Sequence, residues 1–108
     1  MSEIADTPEP PYYAVIFSSL HGGDTEGYAE TAARMVELAA SQPGYLGHES
    51  VREELGITIS YWKDLESIKR WREHAEHREA RRLGRERWYS DYRIRIARVE
   101  RDYGKPPA

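Results

Sequence analysis

His74 and His77 stand three residues apart in a segment that reads as helix, with Trp71 one turn before the first of them. This is where chemistry is most readily placed in the chain. An imidazole changes protonation near neutral pH, so either ring could shuttle a proton or contact a ligand in the mouth of a cavity. A helical zinc signature would use a four-residue spacing, a carboxylate base and a third ligand, so no metal site is expected here. The competing reading is a solvated helix surface on which Glu73, Glu76 and Arg78 pair with the rings.

The aromatic residues around this pair have the same two readings. All three tryptophans lie between Ile57 and Tyr92, with two of the four histidines. Tyr13, Phe17, Trp62, Trp71, Trp88 and Tyr92 are the candidate walls of a pocket for a flat organic molecule. Core or interface packing would use the same residues. Trp71 continues a stripe with Leu65 and Ile68 and favours the core side of that choice.

The elements that must position these residues follow from period and punctuation. Tyr12 to Ser19 reads as a strand with two largely apolar faces: Tyr13, Phe17 and Ser19 share one, while Tyr12, Ile16 and Ser18 share the other. Glu26 to Ser41 has helical spacing, with Asp24 or Thr25 as the expected N-cap and Pro43-Gly44 as the stop. Tyr45 to Glu53 and Ile57 to Trp62 read as strands joined by a turn at Glu54-Leu55-Gly56. Asp64 is placed to cap a second helix that runs past His77 and bends at Gly84. Ser90 to Arg101 alternates Tyr92, Ile94 and Ile96 against Arg93 and Arg95 as a last strand. Residues 1–11 and 102–108 read as disordered tails around one domain over 12–101.

The order βαββαβ is the ferredoxin-like α+β arrangement, a four-stranded antiparallel sheet with both helices on one face. Two helices cover only one face, and the first strand is apolar on both. A second copy of the sheet is the economical cover, so a homodimer is expected.

Bulk properties exclude several classes of function. The chain has 108 residues and a net charge of −3, which speaks against nucleic-acid binding. Arg34 and Arg52 are the only basic residues among 1–54, whereas 63–101 holds most of the arginines. That asymmetry suits internal or subunit pairing, and the arginine runs read as solvated or paired faces. There is no cysteine, so disulfide and thiolate chemistry are excluded. Neither a membrane span nor a secretory leader is legible, and a cytoplasmic location is expected.

The sequence Ser60-Tyr61-Trp62, the Asp64-capped helix, Trp71-x-x-His74-Ala75-Glu76-His77 and the Gly84-Arg85-Glu86-Arg87-Trp88-Tyr89 segment together resemble the antibiotic biosynthesis monooxygenase-like family of dimeric α+β barrels. The resemblance covers roughly Tyr12 to Arg101. It implies a cofactor-independent monooxygenase in which His74 or His77 takes a phenolic proton and dioxygen attacks a small aromatic or quinol-like substrate. Haem-degrading relatives typically carry an Asn on the first strand and an axial His about ten residues after the helix Trp. Here the first strand has no Asn and position 81 is Arg, which disfavours haem. A non-catalytic ligand-binding dimer is the remaining alternative on this scaffold.

Overall fold

The computed structural model describes residues 3–106. Its elements are β1 (Tyr12–His21), α1 (Tyr28–Ala40), β2 (Tyr45–Arg52), β3 (Leu55–Trp62), α2 (Leu65–Glu73), α3 (Ala75–Leu83), a single π-helical turn (Gly84–Trp88) and β4 (Tyr89–Val99). The strands form one antiparallel sheet in the order β2-β3-β1-β4. This is the ferredoxin-like α+β fold expected from the sequence.

Register assigns the faces. Tyr13 pairs with Trp62, Val15 with Ser60 and Phe17 with Thr58, so these residues share a side. On β4 the same side carries Arg98, Ile96, Ile94 and Tyr92. This is the helix-covered face, because Tyr13 and Val15 pack with Met35, Leu38 and Tyr45 around a core of Ala39, Trp62, Ile68 and Trp71. The other face carries Tyr12, Ala14, Ile16, Ile57 and Ile59 and has no helix over it.

Several boundaries differ from expectation for local reasons. The N-cap of α1 is Gly27, in the left-handed region at φ 81°, and not Asp24 or Thr25. The Asp24 carboxylate instead accepts from the Glu26 amide at 3.1 Å and from Arg87 Nε at 3.2 Å. The β2–β3 turn is tighter than expected, since β3 already begins at Leu55. The second helix is two helices: His74 is extended at φ −60° and ψ 132°, so the chain breaks there rather than only at Gly84.

The N-terminal segment makes defined contacts with the uncovered face. The Ala5 amide donates to Glu49 Oε2 at 3.0 Å, and Glu49 Oε1 accepts from the Tyr61 hydroxyl at 2.6 Å. Thr7 and Tyr12 hydroxyls both donate to Asp102 Oδ2, at 3.2 and 2.5 Å. These contacts help bury Tyr12, only 4 % exposed on a face without helices. No helix among the described residues is long and apolar enough to cross a membrane.

Candidate active site

The site is built on α2. Asp64 Oδ1 accepts from the Ser67 amide and hydroxyl, each at 2.7 Å, and this cap starts the helix. The same contacts hold the Asp64 carboxyl below the usual range. From there Ser67, Ile68 and Trp71 form the buried side. Trp71 stacks on the fully buried Trp62, with ring centroids 6.3 Å apart and 24° between planes. The Trp62 indole N–H is satisfied by Ser60 Oγ at 2.9 Å.

The break at His74 separates the two histidines by role. His74 caps α3, its Nδ1 accepting weakly from the Glu76 amide at 3.3 Å. His77 lies in the first turn of α3 and folds back over Trp71, with ring centroids 4.1 Å apart and only 8° between planes. Its Nδ1 is 3.0 Å from the Trp71 carbonyl oxygen. A carbonyl only accepts, so Nδ1 carries the hydrogen and Nε2 keeps the lone pair of the neutral ring. Burial pushes the His77 imidazole down to about 4, with the Trp71 carbonyl opposing and the Arg81 charge adding a smaller push.

Arg81 follows His77 by four residues and shares its side of α3. Its Nε is buried without a partner, and its neighbourhood includes Arg72, Arg85, Arg78 and the Tyr92 hydroxyl. Tyr92 packs on Phe17 at 5.8 Å. Beyond them the helices leave the β4 side of the sheet open, where Tyr92, Ile94 and Ile96 remain 40, 48 and 53 % exposed. Phe17 and Tyr92 thus stand on the helix-covered face of the sheet, while Trp71, His77 and Arg81 belong to α2 and α3 above it.

The expected pocket walls divide into two groups. Tyr13 and Trp62 belong to the packed core beneath α1 and α2, together with the inner face of Trp71. Trp88 is only 4 % exposed, donates to the Glu26 carbonyl at 2.9 Å and packs edge-on against Tyr28 at 5.6 Å. Trp62 and Trp88 are thus buried, whereas Phe17 is half-buried and Tyr92 is exposed.

Sequence reasoning missed Arg81 and His21. The His21 ring packs edge-on against Tyr28 at 4.4 Å and stacks on Tyr89 at 5.7 Å, with Nε2 buried and unpartnered. Burial first, and then the Arg52 charge, lower its basicity. Arg52 is itself anchored on Ser19 Oγ and on the Ser19 carbonyl. Burial likewise pushes the Tyr89 hydroxyl strongly up. The signal that could have found His21 was its place at the inward end of β1.

The sequence profile described as "Antibiotic biosynthesis monooxygenase" matches residues 11–83. The chain belongs to the antibiotic biosynthesis monooxygenase family. Within known proteins it is 55 % identical over 103 residues to the uncharacterised protein YqjZ of Bacillus subtilis, covering 94 % of this chain and 90 % of that one. It is 32 % identical over 59 residues to jasmonate monooxygenase ABM of Pyricularia oryzae, a match spanning 55 % of this chain and 23 % of that protein. Among solved structures, SnoaB, a cofactor-independent oxygenase from Streptomyces nogalater, superposes with a TM-score of 0.74 at 15 % identity. That superposition covers 87 % of this chain and 98 % of SnoaB. The antibiotic biosynthesis monooxygenase profile thus spans β1 to α3 and contains Trp71, His77 and Arg81, while the similarity to SnoaB is one of fold.

Proposed function

We propose that this protein is a cofactor-independent monooxygenase acting on a small aromatic or quinol-like substrate in the cavity of the α+β barrel. One observation carries the reading. His77 is held in a single tautomer against Trp71 by its Nδ1–H, leaving Nε2 as an uncommitted acceptor. Membership of a monooxygenase family and a fold shared with a cofactor-independent oxygenase support it.

An anthrone illustrates the chemistry. Removal of a ring-methylene proton by His77 Nε2 leaves an anion delocalised over the aromatic frame. That anion reduces dioxygen and forms a C–O bond, giving a peroxide. His77 returns its proton to the distal oxygen. Loss of water, with the second methylene hydrogen, leaves a carbonyl. One oxygen atom enters the product and the other leaves as water, so dioxygen is the sole oxidant. A base low in basicity in the empty site is strengthened when a substrate anion forms beside it, because opposite charges favour the protonated ring.

Haem is disfavoured because Arg81 stands where the axial imidazole of haem-degrading relatives would be expected. The reading includes a homodimer through the uncovered sheet face, where Val51 and Leu55 are 65 and 50 % exposed.

The test is oxygen uptake with anthrone, corrected for autoxidation. Turnover by the wild type that falls at least about 100-fold in a folded His77→Ala variant is expected, since general-base catalysis contributes on this scale. Unchanged turnover in both His77→Ala and His74→Ala would overturn the assignment.

A further inference from the structure

His77, Trp71, Trp62 and Tyr45 form one continuous line of rings through the core. His77 lies flat on Trp71 at 4.1 Å between centroids, Trp71 stacks on Trp62 at 6.3 Å, and Trp62 meets Tyr45 edge-on at 5.6 Å. The line ends on a hydrogen bond, 2.7 Å from the Tyr45 hydroxyl to His48 Nδ1. The phenol has no other hydrogen bond among the described residues, so it donates to the lone pair that a neutral imidazole offers. Trp62 is fully buried, whereas Tyr45 and His48 are half-buried, so the line crosses the dry centre of the core and ends where solvent reaches. Core packing accounts for the rings but not for a phenol directed at an imidazole. Tyr13 packs on the same core, and its hydroxyl makes no hydrogen bond among the described residues. The Tyr12 and Tyr61 hydroxyls donate to Asp102 and Glu49, but on the other face of the sheet, where their rings meet each other and no tryptophan. Tyr45 alone among these joins the tryptophans to a base.

We propose that Tyr45 and His48 form a redox-active pair, the end point of a one-electron path that begins at Trp71 and passes through Trp62. The inference rests on the oxygenase reading for its oxidant, an organic peroxyl radical. Such a radical forms when a substrate radical escapes the superoxide made with it and captures a second dioxygen. Its terminal oxygen takes one electron from Trp71 and the proton held by protonated His77, giving a hydroperoxide. Trp62 returns one electron to Trp71, and Tyr45 returns one to Trp62. As Tyr45 loses that electron, its hydroxyl proton crosses to His48 Nδ1, leaving a neutral tyrosyl radical and an imidazolium. Without an acceptor the oxidised phenol would carry a positive charge in a half-buried position, which His48 avoids by taking the proton. The path moves the oxidising equivalent away from the base and onto a residue that soluble reductants can reach.

The test replaces the peroxyl radical by a photosensitiser and so needs no substrate. The chain has no cysteine, and Arg72 is exposed beside Trp71, so Arg72→Cys gives a single attachment point for a ruthenium polypyridyl label. A flash in the presence of a soluble electron acceptor leaves oxidised ruthenium, which takes one electron from the chain. Transient absorption then separates tyrosyl from tryptophan radicals, and circular dichroism verifies that each variant is folded. The labelled parent should yield a tyrosyl radical that forms more slowly in heavy water, because a proton moves with the electron. Tyr45→Phe should lose that signal and leave a tryptophan radical in its place, while Tyr13→Phe should keep it in full. Trp62→Phe retains a flat ring that is far harder to oxidise and should strand the radical on Trp71. His48→Gln keeps an acceptor that cannot hold a proton and should slow tyrosyl formation. A tyrosyl radical that survives Tyr45→Phe, a parent that stops at tryptophan, or formation equally fast in His48→Gln would overturn the proposal. The expected radicals in a protein that takes up no oxygen with anthrone would keep the path and remove the oxygenase reading. Anthrone turnover without a tyrosyl radical would do the reverse.

Discussion

The His77 ring lies parallel to the Trp71 indole, 8° from coplanar, while its Nδ1 meets the carbonyl of that same residue at 3.0 Å. Trp71 therefore restrains His77 twice, through its side chain and through its backbone. The backbone contact is available because the chain breaks at His74, where the Trp71 carbonyl accepts from the His74 amide at 3.1 Å and keeps its second lone pair for His77 Nδ1. A continuous helix would have directed the Trp71 carbonyl to the amide at position 75.

That arrangement sets a pH dependence. His77 lies at about 4 in the folded protein against an ordinary 6.5. The unfolded chain binds the proton first, so the contribution of this group to stability is fully present above pH 6.5. It declines as pH falls from 6.5 toward 4 and then levels off, the total being at most about 3 kcal/mol. Titration of the His77 ring signals by NMR should give a midpoint near 4, and a midpoint above 6 would contradict the burial described.

Replacing Trp71 by Ala should remove the stacked face and admit water to His77. Its midpoint should then move up toward 6.5, and the fold should lose about 3–5 kcal/mol, as for other large-to-small changes in a core. Trp71→Phe keeps a flat cover and should move the midpoint less. Chemical denaturation and NMR titration measure the two effects separately.

Gly44 is held at φ +84°, and a Cβ there would stand 2.0 Å from Ser67 Oγ. Gly44→Ala should destabilise by about 2 kcal/mol or more, combining backbone strain with displacement of the Asp64–Ser67 cap. Gly23→Ala, where a Cβ meets nothing within 4 Å, is the control and should shift the melting temperature little.

Asp64→Ala removes the acceptor of the Ser67 amide and should cost about 1 kcal/mol, read as a lowered denaturation midpoint. Asp64→Asn should recover much of this loss, because the amide oxygen can still cap.

The homodimer reading is tested on the uncovered face. Val51→Asp with Leu55→Asp places two charges among exposed apolar residues, at little cost to the isolated fold. Light scattering should report a dimer for the wild type and a monomer for this variant. A monomeric wild type at micromolar concentration would exclude the interface.

The strands were readable because β-branched and aromatic runs are bounded by turn residues, and because Tyr92, Ile94 and Ile96 alternate with Arg93 and Arg95 in the last one. Trp62 and Phe17 fell on the face that pairing requires once β1 and β3 were in place. The break at His74 was not readable, because Ala75 and the residues after it are all compatible with helix. Its cause is the His74 cap and the return of His77 to Trp71, which are contacts rather than propensities. Gly27 displaced Asp24 as the N-cap because Arg87, distant in sequence, engages the Asp24 carboxylate. Arg81 was hidden among arginines that look alike in a string. Its difference is a buried Nε, which tertiary packing decides and a string does not show.

β4 is an outermost strand of the sheet, and its 11 residues leave one row of backbone N–H and C=O groups without a neighbouring strand. Such a row is a template on which another chain can add itself. Arg93, Arg95 and Arg98 line this strand, so two like edges approaching one another bring positive charge against positive charge. Protection of that kind is electrostatic and fades as salt shortens its reach to about 3 Å at 1 M. Concentrated stocks should therefore be most prone to fibrous or sheet-like aggregation in strong brine and least so in dilute buffer, opposite to proteins that salt keeps dispersed.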